Sequence, residues 1–295
     1  MSSDPPPVCD YDGSDYQDAF WEKGGRNYED QVEAVALQRL LPKSGQLLLE
    51  VGAGAGRNTP RYQGFERIVL LDYSYTQLQQ AQARLGSSQR YIYVAADVYR
   101  LPFVAGLFDA ATMIRTLHHM SDAPRAISQV RQVLKPDATF ILEYANKRNL
   151  KAILRYLLRR QSWNPFTREP IEFARLNYDF HPQAVAAWLD EHGFSIQRQL
   201  TVSHFRMEFL KRMLPLELLV KMDSAAQLTG KWWQLTPSVF IKARAMGDTP
   251  TAAEGDFFRC PQCGNSPLIE TPNELTCTAC QRQWPICDGI YHLRD

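Results

Sequence analysis

Short apolar runs alternate with amphipathic stretches along residues 28–244. Runs of this length between polar segments predict buried strands, and apolar positions three or four residues apart predict helices. Strands are predicted at 47–51, 67–72, 91–96, 108–114, 139–144, 195–202 and 237–243. Helices are predicted at 28–41, 75–85, 123–134, 149–160 and 182–192. The alternation indicates an α/β domain built on a mostly parallel sheet.

The remaining segments differ in composition. The N-terminal extension, residues 1–27, begins with a stretch rich in Pro and Asp and is predicted to be partly disordered. Residues 245–258 are mainly small and polar, which predicts a linker. Residues 259–295 are too few to bury a sufficient core alone, so this segment needs a cross-link.

Composition and charge exclude several classes of protein. The chain has 295 residues, 45% hydrophobic and 22% charged, as is typical of globular proteins. Its 33 Lys and Arg against 32 Asp and Glu leave a net charge of +1, which excludes a protein that coats nucleic acid by bulk charge. No apolar run approaches the ~18 residues of a membrane span, and no signal peptide is predicted. We therefore expect a cytoplasmic protein without a transmembrane segment.

Four of the six cysteines form two C-x-x-C pairs near the C-terminus. The pairs are separated by 13 residues and comprise Cys260, Cys263, Cys277 and Cys280. Two such pairs bring four thiolates into a tetrahedron around zinc and leave no open position for catalysis. We therefore predict a structural zinc ribbon at 259–295 whose folding depends on the metal. The nearby Cys287 is expected to be a packed thiol and not a ligand.

A glycine-rich turn follows the first predicted strand. Gly52, Gly54 and Gly56 alternate with small residues directly after Glu50. Glycine lets the backbone approach a ligand closely, and a following helix directs its N–H groups toward the turn. The spacing differs from the dinucleotide fingerprint, because Arg57 occupies the position of its third glycine.

Two further carboxylates stand at the ends of strands. Asp72 ends the second predicted strand and Asp97 follows the third. Parallel strands end at the same edge of a sheet, so these residues and Glu50 are expected around one crevice. Asp72 can accept hydrogen bonds from ribose hydroxyls, and Asp97 from an adenine amino group. Three acidic groups suit a ligand with a sulfonium and an ammonium better than a pyrophosphate.

These motifs, with Leu101-Pro102-Phe103 and the segment 108–119, resemble class I S-adenosyl-L-methionine (SAM)-dependent methyltransferases, above all the group that includes the quinone C-methyltransferases. The resemblance covers roughly residues 28–244 and implies a Rossmann-like, seven-stranded methyltransferase sheet. It implies that Glu50 and the glycine turn hold the methionine part of SAM and that Asp72 binds the ribose. The cofactor-binding residues that it implies are Glu50, Gly52, Gly54, Gly56, Asp72, Tyr73, Asp97, Val98 and Arg115.

Candidate catalytic residues follow the fourth and fifth predicted strands. A base is needed only when the methyl acceptor carries a proton that must leave. His118, His119 and Tyr144 are the candidates, and Glu143 precedes Tyr144. The alternative for the two histidines is a structural role at the start of a helix.

Two other histidines lie outside these motifs. Asp179 and His181 directly precede the helix at 182–192, where we expect them to cap its N-terminus rather than to act in catalysis. His204 is a further candidate for the side that binds the acceptor.

The segment 147–168 distinguishes the chain from a minimal methyltransferase. It contains seven Lys or Arg and no acidic residue, and its leucines form one face of the predicted helix. Three roles remain open: contact with RNA phosphates, association with an anionic membrane that carries a lipid acceptor, or a solvated helix that roofs the active site.

The cysteine-rich tail carries a second resemblance. With Cys260-Pro261, Trp284-Pro285-Ile286 and Asp288-Gly289-Ile290, it resembles the small zinc-binding activator protein of tRNA, rRNA and release-factor methyltransferases. That unit usually acts in trans, whereas here it would be fused to the catalytic domain. Two roles remain open for it, stabilising the catalytic domain by covering apolar surface or helping to read a substrate. A protein partner bound through the ribbon is a further expectation.

The sequence thus predicts a SAM-dependent methyltransferase with an RNA or translation-linked acceptor. A small-molecule or lipid (quinone-like) acceptor is the alternative. A non-catalytic SAM-binding scaffold is a third hypothesis, against which the intact Glu50, Asp72 and Asp97 argue.

Overall fold

The computed structural model describes residues 6–9, 12–13, 25–248 and 250–294. Most of the extension 1–27, predicted to be partly disordered, lies outside these residues. The helices are α1 Asn27–Leu40, α2 Tyr75–Leu85, α3 Ala123–Val133, α4 Leu150–Leu157, α5 Pro182–Glu191, α6 Glu208–Met213 and α7 Leu216–Ala226. The strands are β1 Gly45–Val51, β2 Phe65–Asp72, β3 Tyr91–Ala96, β4 Phe108–Met113, β5 Leu134–Ala145, β6 Ile171–Ala174, β7 Asn177–Asp179, β8 Phe194–Val202, β9 Ser238–Ala245, β10 Ile269–Glu270, β11 Glu274–Thr276, β12 Gln283–Cys287 and β13 Ile290–Leu293.

The seven predicted strands are consecutive in the sheet, in the order β3-β2-β1-β4-β5-β9-β8, and β8 lies at one edge. Neighbours from β3 to β5 are parallel, whereas β9 is antiparallel to both β5 and β8. The predicted α/β class with a mostly parallel, Rossmann-like sheet is thereby confirmed.

Successive side chains of a strand point to opposite sides of the sheet. Because the strands carry apolar side chains on both sides, helices cover both faces. The helices α3 and α5 pack on one face, where Leu49, Val69 and Phe140 belong to the largest buried cluster. The helix α2 packs on the other face near β1 and β2, and α1 and α7 pack near β5 and β8. Both faces are thus covered, and the carboxyl ends of the parallel strands remain for a site.

Local side chains fix where the helices begin. Ser74, Asp122 and Asn149 accept hydrogen bonds from the backbone N–H groups of Gln77, Arg125 and Ala152, at the starts of α2, α3 and α4. These contacts satisfy N–H groups that have no partner inside a helix. The helix α2 then ends at Gly86, whose φ of 82° favours glycine.

Four of the strands and helices within residues 28–244 were not predicted, namely β6, β7, α6 and α7. The hairpin β6–β7 has strands too short to show an alternating pattern, and α6 and α7 lie in a mixed segment of the sequence. The hairpin contacts the turn at 117–119, where the backbone carbonyl of Leu176 lies 3.1 Å from Nδ1 of His119.

The C-terminal unit extends the sheet at its other edge. Strand β13 pairs in parallel with β3, in a register from Ile290 opposite Tyr93 to Leu293 opposite Ala96. The end of the predicted linker is also docked, because Phe258 is buried and stacks 5.8 Å from the ring of Phe103. The ribbon is therefore part of the same sheet and is not a separate appendage.

None of the helices in the described part of the chain is long and apolar enough to cross a membrane.

Candidate active site

The glycine turn forms the floor of a pocket at the carboxyl ends of β1 and β2. This glycine pocket is lined by Glu50, Gly54, Asp72, Tyr73, Arg115 and His119, among others. Gly52 has a φ of 68°, and a Cβ there would meet the side chain of Thr116 at 2.2 Å. Gly54 has a φ of 53°, and a Cβ there would meet only Gln77, at 3.8 Å, so the backbone is left open to a ligand.

Gly56 serves the fold rather than the pocket. A Cβ at this residue would lie 2.9 Å from a methyl group of Leu85 and 3.3 Å from Cβ of Ala81, both on α2. Its glycine therefore permits close packing of the turn against the helix, although the resemblance implied a cofactor-binding role.

Two carboxyl groups of the pocket, the buried Glu50 and the half-buried Asp72, have raised pKa values. Burial raises the pKa of Glu50 to about 7, although its carboxylate accepts hydrogen bonds from Oγ1 of Thr59 (2.6 Å) and from the hydroxyl of Tyr62 (3.2 Å). Desolvation likewise raises the pKa of Asp72 to about 6, although the hydrogen bonds donated by the backbone N–H groups of Ser74 and Gly54 lower it in part. A cationic ligand beside these groups would favour their charged forms.

The residues expected beside the adenine lie next to the ribbon. Val98 and Tyr73 line the glycine pocket, whereas Asp97 lines a neighbouring cavity together with Trp284. Arg294 donates a hydrogen bond to the backbone carbonyl of Tyr73 at 2.6 Å, and its guanidinium lies 5.1 Å from the centre of that ring. A residue of the ribbon thus borders the wall of the glycine pocket.

Sequence reasoning missed a buried ion-pair network beneath the pocket. Glu33 of α1 is fully buried and pairs with both Arg57 and Arg115. Burial alone would raise the pKa of Glu33, but the two guanidinium groups outweigh it and hold the pKa at about 2. The available signal was an acidic residue on the apolar face that α1 forms with Val32 and Ala36.

Arg115 takes a left-handed backbone conformation with a φ of 57°. Its backbone N–H donates to the Glu143 carboxylate at 2.9 Å, and its side chain pairs with Glu33. These contacts hold a conformation that is unfavourable for a residue with a Cβ, as is common at functional sites.

A second pocket adjoins the first at Arg115 and His119, which line both. This histidine pocket is also lined by His118, Glu143, Asn149, Phe173, Asp179 and Arg206. The side chains that meet in it come from the ends of β4, β5 and β7 and from the segment before α6. Both predicted catalytic histidines therefore line the histidine pocket, and His119 also lines the glycine pocket.

His119 has a defined tautomer. A carbonyl oxygen can only accept a hydrogen bond, so the 3.1 Å contact to Leu176 requires that Nδ1 of His119 carries the proton. Burial lowers the pKa of His119, and burial with the neighbouring His119 and Arg115 lowers the pKa of His118 further. The neutral ring of His119 consequently has its lone pair on Nε2, as a general base requires.

Strand alternation separates Glu143 from Tyr144. Glu143 lines the histidine pocket and accepts a hydrogen bond from Oγ of Ser238 at 2.6 Å. Burial raises its pKa. Tyr144, the predicted catalytic residue, is only 1% exposed and belongs to the hydrophobic cluster on the other face. The structure thus brings the preceding carboxylate, not the tyrosine, to the pocket.

Asp179 and His181 have separate roles. His181 caps α5, because its Nδ1 accepts a hydrogen bond from the backbone N–H of Gln183 at 3.2 Å. Asp179 instead lines the histidine pocket, where burial and the nearby Glu143 raise its pKa to about 6. The expected capping role therefore holds for His181 alone.

His204 is held away from the histidine pocket. Its Nδ1 lies 3.1 Å from the buried carboxylate of Asp223. Its neighbour Arg206 lines the pocket instead and lies 3.6 Å from the carboxylate of Glu29. Burial lowers the pKa of Arg206.

The two C-x-x-C pairs converge as predicted. The four thiol sulfurs lie within 4.8 Å of one another, and two of their separations are 3.7 and 3.5 Å. Tetrahedral zinc with ~2.3 Å bonds would hold sulfurs about 3.8 Å apart, so the cluster fits that ion. Cys287 lies outside the cluster and is exposed, so the expectation of a packed thiol was wrong.

The chain is similar to known methyltransferases in sequence. Residues 49–142 match a family model described as "Methyltransferase domain". A 2-phytyl-1,4-naphtoquinone methyltransferase from Nostoc punctiforme is 30% identical over 166 residues, which cover 45% of this chain and 71% of that protein. O-methyltransferase cnsE from Penicillium expansum is 29% identical over 133 residues, or 42% of this chain and 48% of that protein. The chain spans about half the length of several curated relatives that it matches.

The fold is also shared with solved structures. A complex between the Haloferax volcanii Trm112 methyltransferase activator and a methyltransferase contains a chain that aligns with a TM-score of 0.56 at 14% identity, covering 79% of this chain and 96% of that chain. Together with the glycine turn and the order of the strands, the sequence matches establish the family. The chain belongs to the class I SAM-dependent methyltransferases.

Proposed function

We propose that the chain transfers a methyl group from SAM, bound in the glycine pocket, to an acceptor bound in the histidine pocket. The observation that carries this proposal is the junction of the two pockets at Arg115 and His119. A donor and an acceptor held on the two sides of this junction would be aligned for an in-line displacement, and such alignment supplies much of the rate of methyl transfer.

The glycine pocket fits SAM by charge and by shape. SAM supplies an electrophilic methyl group on a positively charged sulfur. The buried Glu50 and the half-buried Asp72 offer carboxylates to its cationic groups and its ribose, and the open backbone at Gly54 admits a ligand. Tyr73 and Val98 would flank the adenine.

Two groups of the histidine pocket can take up a proton. If the acceptor is a hydroxyl or a ring carbon, Nε2 of His119 is oriented by the contact of Nδ1 with Leu176 and accepts the proton as the methyl group is transferred. Asp179, with a pKa of about 6, is the second base in the same pocket. Arg206 would hold an anionic oxygen of the acceptor.

An apolar small molecule or lipid with a polar head is the acceptor that the geometry supports best. The histidine pocket is polar, whereas elements at its edge expose apolar side chains such as Phe173, which is 61% exposed. Named relatives include quinone methyltransferases and O-methyltransferases, which agrees with an acceptor of this kind.

RNA is the second candidate acceptor. It is favoured by the basic segment 147–168 and by the resemblance of the tail to an activator of tRNA and rRNA methyltransferases. A separate protein partner of the ribbon stays a prediction, since β13 already pairs with β3 of the same chain.

We propose that the ribbon holds one structural zinc ion between Cys260, Cys263, Cys277 and Cys280. The distances between these sulfurs support this ligand set, and a site with four protein ligands has no position for a substrate. Thiols remain available for a metal in a reducing compartment, which agrees with the expected cytoplasmic location.

Radiolabelled SAM tests the proposed function. The purified protein and its His119→Ala variant are incubated with an extract from cells that lack the protein, and RNA, protein and organic-solvent fractions are separated. Label in the organic fraction with the unmodified protein, but not with His119→Ala, supports the small-molecule or lipid acceptor. Label in RNA that ribonuclease removes would overturn that choice of acceptor. SAM binding in calorimetry without label in any fraction would indicate the non-catalytic scaffold.

A further inference from the structure

Many large apolar side chains are exposed on elements that border the histidine pocket. Those at least 49% exposed belong to α4 and the segment after it, to β6, to α6 and its start, and to the segment after α7. They are Leu150, Leu154, Leu157, Leu158, Phe166, Phe173, Met207, Phe209, Met213, Trp232 and Trp233. We call this set the apolar rim. Contiguous exposed apolar surface commonly marks an interaction site.

The helix α4 shows the feature most clearly. Its leucines fall three or four residues apart on one face, but only Ala152 of the helix is buried within the described part of the chain. A helix that packs on the core of its own protein buries such a face. The leucines of α4 are thus directed at something other than the rest of the fold.

The elements of the apolar rim meet around the mouth of the histidine pocket. Asn149, which caps α4, lines the pocket. Phe173 of β6 and Arg206 also line it, and Arg206 directly precedes the rim residue Met207. The backbone N–H of Leu150 donates to the carbonyl of Leu235 at 2.8 Å, which joins α4 to the segment that carries the two tryptophans. The rim therefore borders the entrance of the pocket.

Cations are interleaved with the apolar rim. Lys151, Arg155, Arg159 and Arg160 are exposed among the leucines of α4 and its end, and the surrounding segment 147–168 has no acidic residue. Arg212 adds a further exposed cation on α6. Exposed carboxylates lie beside Phe173 and Met207, at Glu172 and Glu208, so the positive charge is concentrated on α4 and its end. A partner of this helix would combine negative charge with an apolar interior.

An anionic membrane surface has this combination of properties. Amphipathic helices with Leu, Trp and Phe on one side and Lys and Arg on the other lie in the interface between headgroups and acyl chains. Tryptophan is enriched at the same level of a bilayer. RNA would use the cations but would leave the leucines and methionines exposed, because it offers phosphates and bases for stacking. A symmetric dimer through α4 would bring its cations against those of the second copy.

We propose that the apolar rim docks in the headgroup region of an anionic lipid bilayer, with the mouth of the histidine pocket directed toward the lipid. This inference goes beyond the proposed methyl transfer and does not rest on it, because docking needs neither SAM nor an acceptor. The docked protein would admit an acceptor from the membrane without exposing its apolar part to water.

Flotation with vesicles tests the proposal directly. The full chain is mixed with vesicles of phosphatidylcholine alone or of phosphatidylcholine and phosphatidylglycerol in equal parts. We expect binding to the mixed vesicles, much weaker binding to phosphatidylcholine, and release at high salt, because each cation contributes through its attraction to anionic headgroups. Failure of the unmodified chain to float with the mixed vesicles would overturn the proposal.

Variants separate the apolar contribution from the charge. Leu154→Ser with Leu157→Ser, and separately Lys151→Ala with Arg155→Ala, should each weaken binding to the mixed vesicles by about tenfold or more. Ile269→Ser is the matched control, since Ile269 is 55% exposed on β10 of the ribbon, and it should bind as the unmodified chain does. Exposed positions are used so that each variant folds, as circular dichroism would verify.

Three results would contradict docking on a membrane. Equal binding by the leucine variant would mean that the cations alone attract vesicles. Displacement of the chain from vesicles by single-stranded RNA, with unchanged RNA affinity of the leucine variant, would assign the cations to RNA. A dimer in light scattering that is lost in the leucine variant would assign the apolar rim to a second copy. Each of these results leaves the methyl-transfer assay unaffected, so failure of docking and failure of the proposed function remain distinguishable.

Discussion

Replacing Glu50 by Gln is expected to stabilise the unliganded protein near pH 8 but not near pH 5. Glu50 is 4% exposed, and its pKa is about 7 in the folded chain against an ordinary value of 4.5. The folded chain therefore binds the proton more tightly than the unfolded chain does. Stability falls as the pH rises from the unfolded value toward the folded value, because over that range the folded state must give up a proton that it holds more tightly.

The size of the effect follows from the two pKa values. At about 1.4 kcal/mol for each pH unit between them, ionised Glu50 costs the folded chain roughly 3 kcal/mol above pH 7. The single side-chain oxygen of glutamine can still accept the hydrogen bond from Thr59, but its NH₂ group cannot accept the one from Tyr62. We expect this change to cost the folded state about 1 kcal/mol. The variant should thus be more stable by about 2 kcal/mol near pH 8. Near pH 5 the two proteins should be nearly equal in stability, because the unfolded chain is already mostly ionised there and this costs the unmodified protein about 1 kcal/mol, as much as the variant loses at its hydrogen bond.

Urea unfolding of both proteins at the two pH values measures this difference. Glu254→Gln, at an exposed carboxylate, is the control and should follow the unmodified protein at both. A Glu50→Gln variant that is destabilised equally at both pH values would refute the reasoning. Calorimetry adds an independent measurement, because SAM should favour the charged form of Glu50, so that binding near pH 7 releases a proton from the unmodified protein but not from the variant.

Three further predictions concern the two pockets and the ribbon. Asp72→Ala should abolish measurable SAM binding in calorimetry, since the pocket loses its proposed ribose acceptor; near-normal affinity would contradict the assignment. His119→Ala should lower kcat by 100-fold or more, as is typical for loss of a general base (~10²–10⁴-fold). The rate of the unmodified protein should fall at acid pH as His119 becomes protonated. Tyr144→Phe should keep kcat close to that of the unmodified protein, and a loss as large as that of His119→Ala would make the tyrosine a catalytic candidate again. Elemental analysis should find about one zinc per chain, and Cys277→Ser should remove it; purified protein without zinc would disprove the metal site.

Much of the fold could be predicted because its elements are long and periodic. The predicted strand at 91–96 and the predicted helix at 75–85 coincide with β3 and α2. The hairpin β6–β7 was missed because strands of three and four residues carry too few positions to show a period. Because the hairpin was not predicted, the position of Leu176 beside His119 could not be predicted either, although the Leu176 carbonyl determines the tautomer of His119.

The limits of prediction at the site have a similar origin. The glycine turn and Asp72 are local features, and the structure brings them into one pocket. The choice between Glu143 and Tyr144 depends on which face of β5 is turned toward the histidine pocket, and that face is determined by neighbouring strands and helices. The ion pairs of Glu33 likewise join residues distant in sequence, so no local pattern specifies them.

The pairing of β13 with β3 has a consequence for how the chain reaches its native state. The register joins Ile290 to Tyr93, so this edge of the sheet is completed by a segment made roughly 200 residues later. Until that segment docks, β3 presents unpaired backbone groups, which can add strands from other molecules and cause aggregation. Docking of the ribbon therefore protects the edge of β3 from pairing with other molecules. The interval between synthesis of β3 and docking of β13 is the period in which the chain is most prone to aggregation.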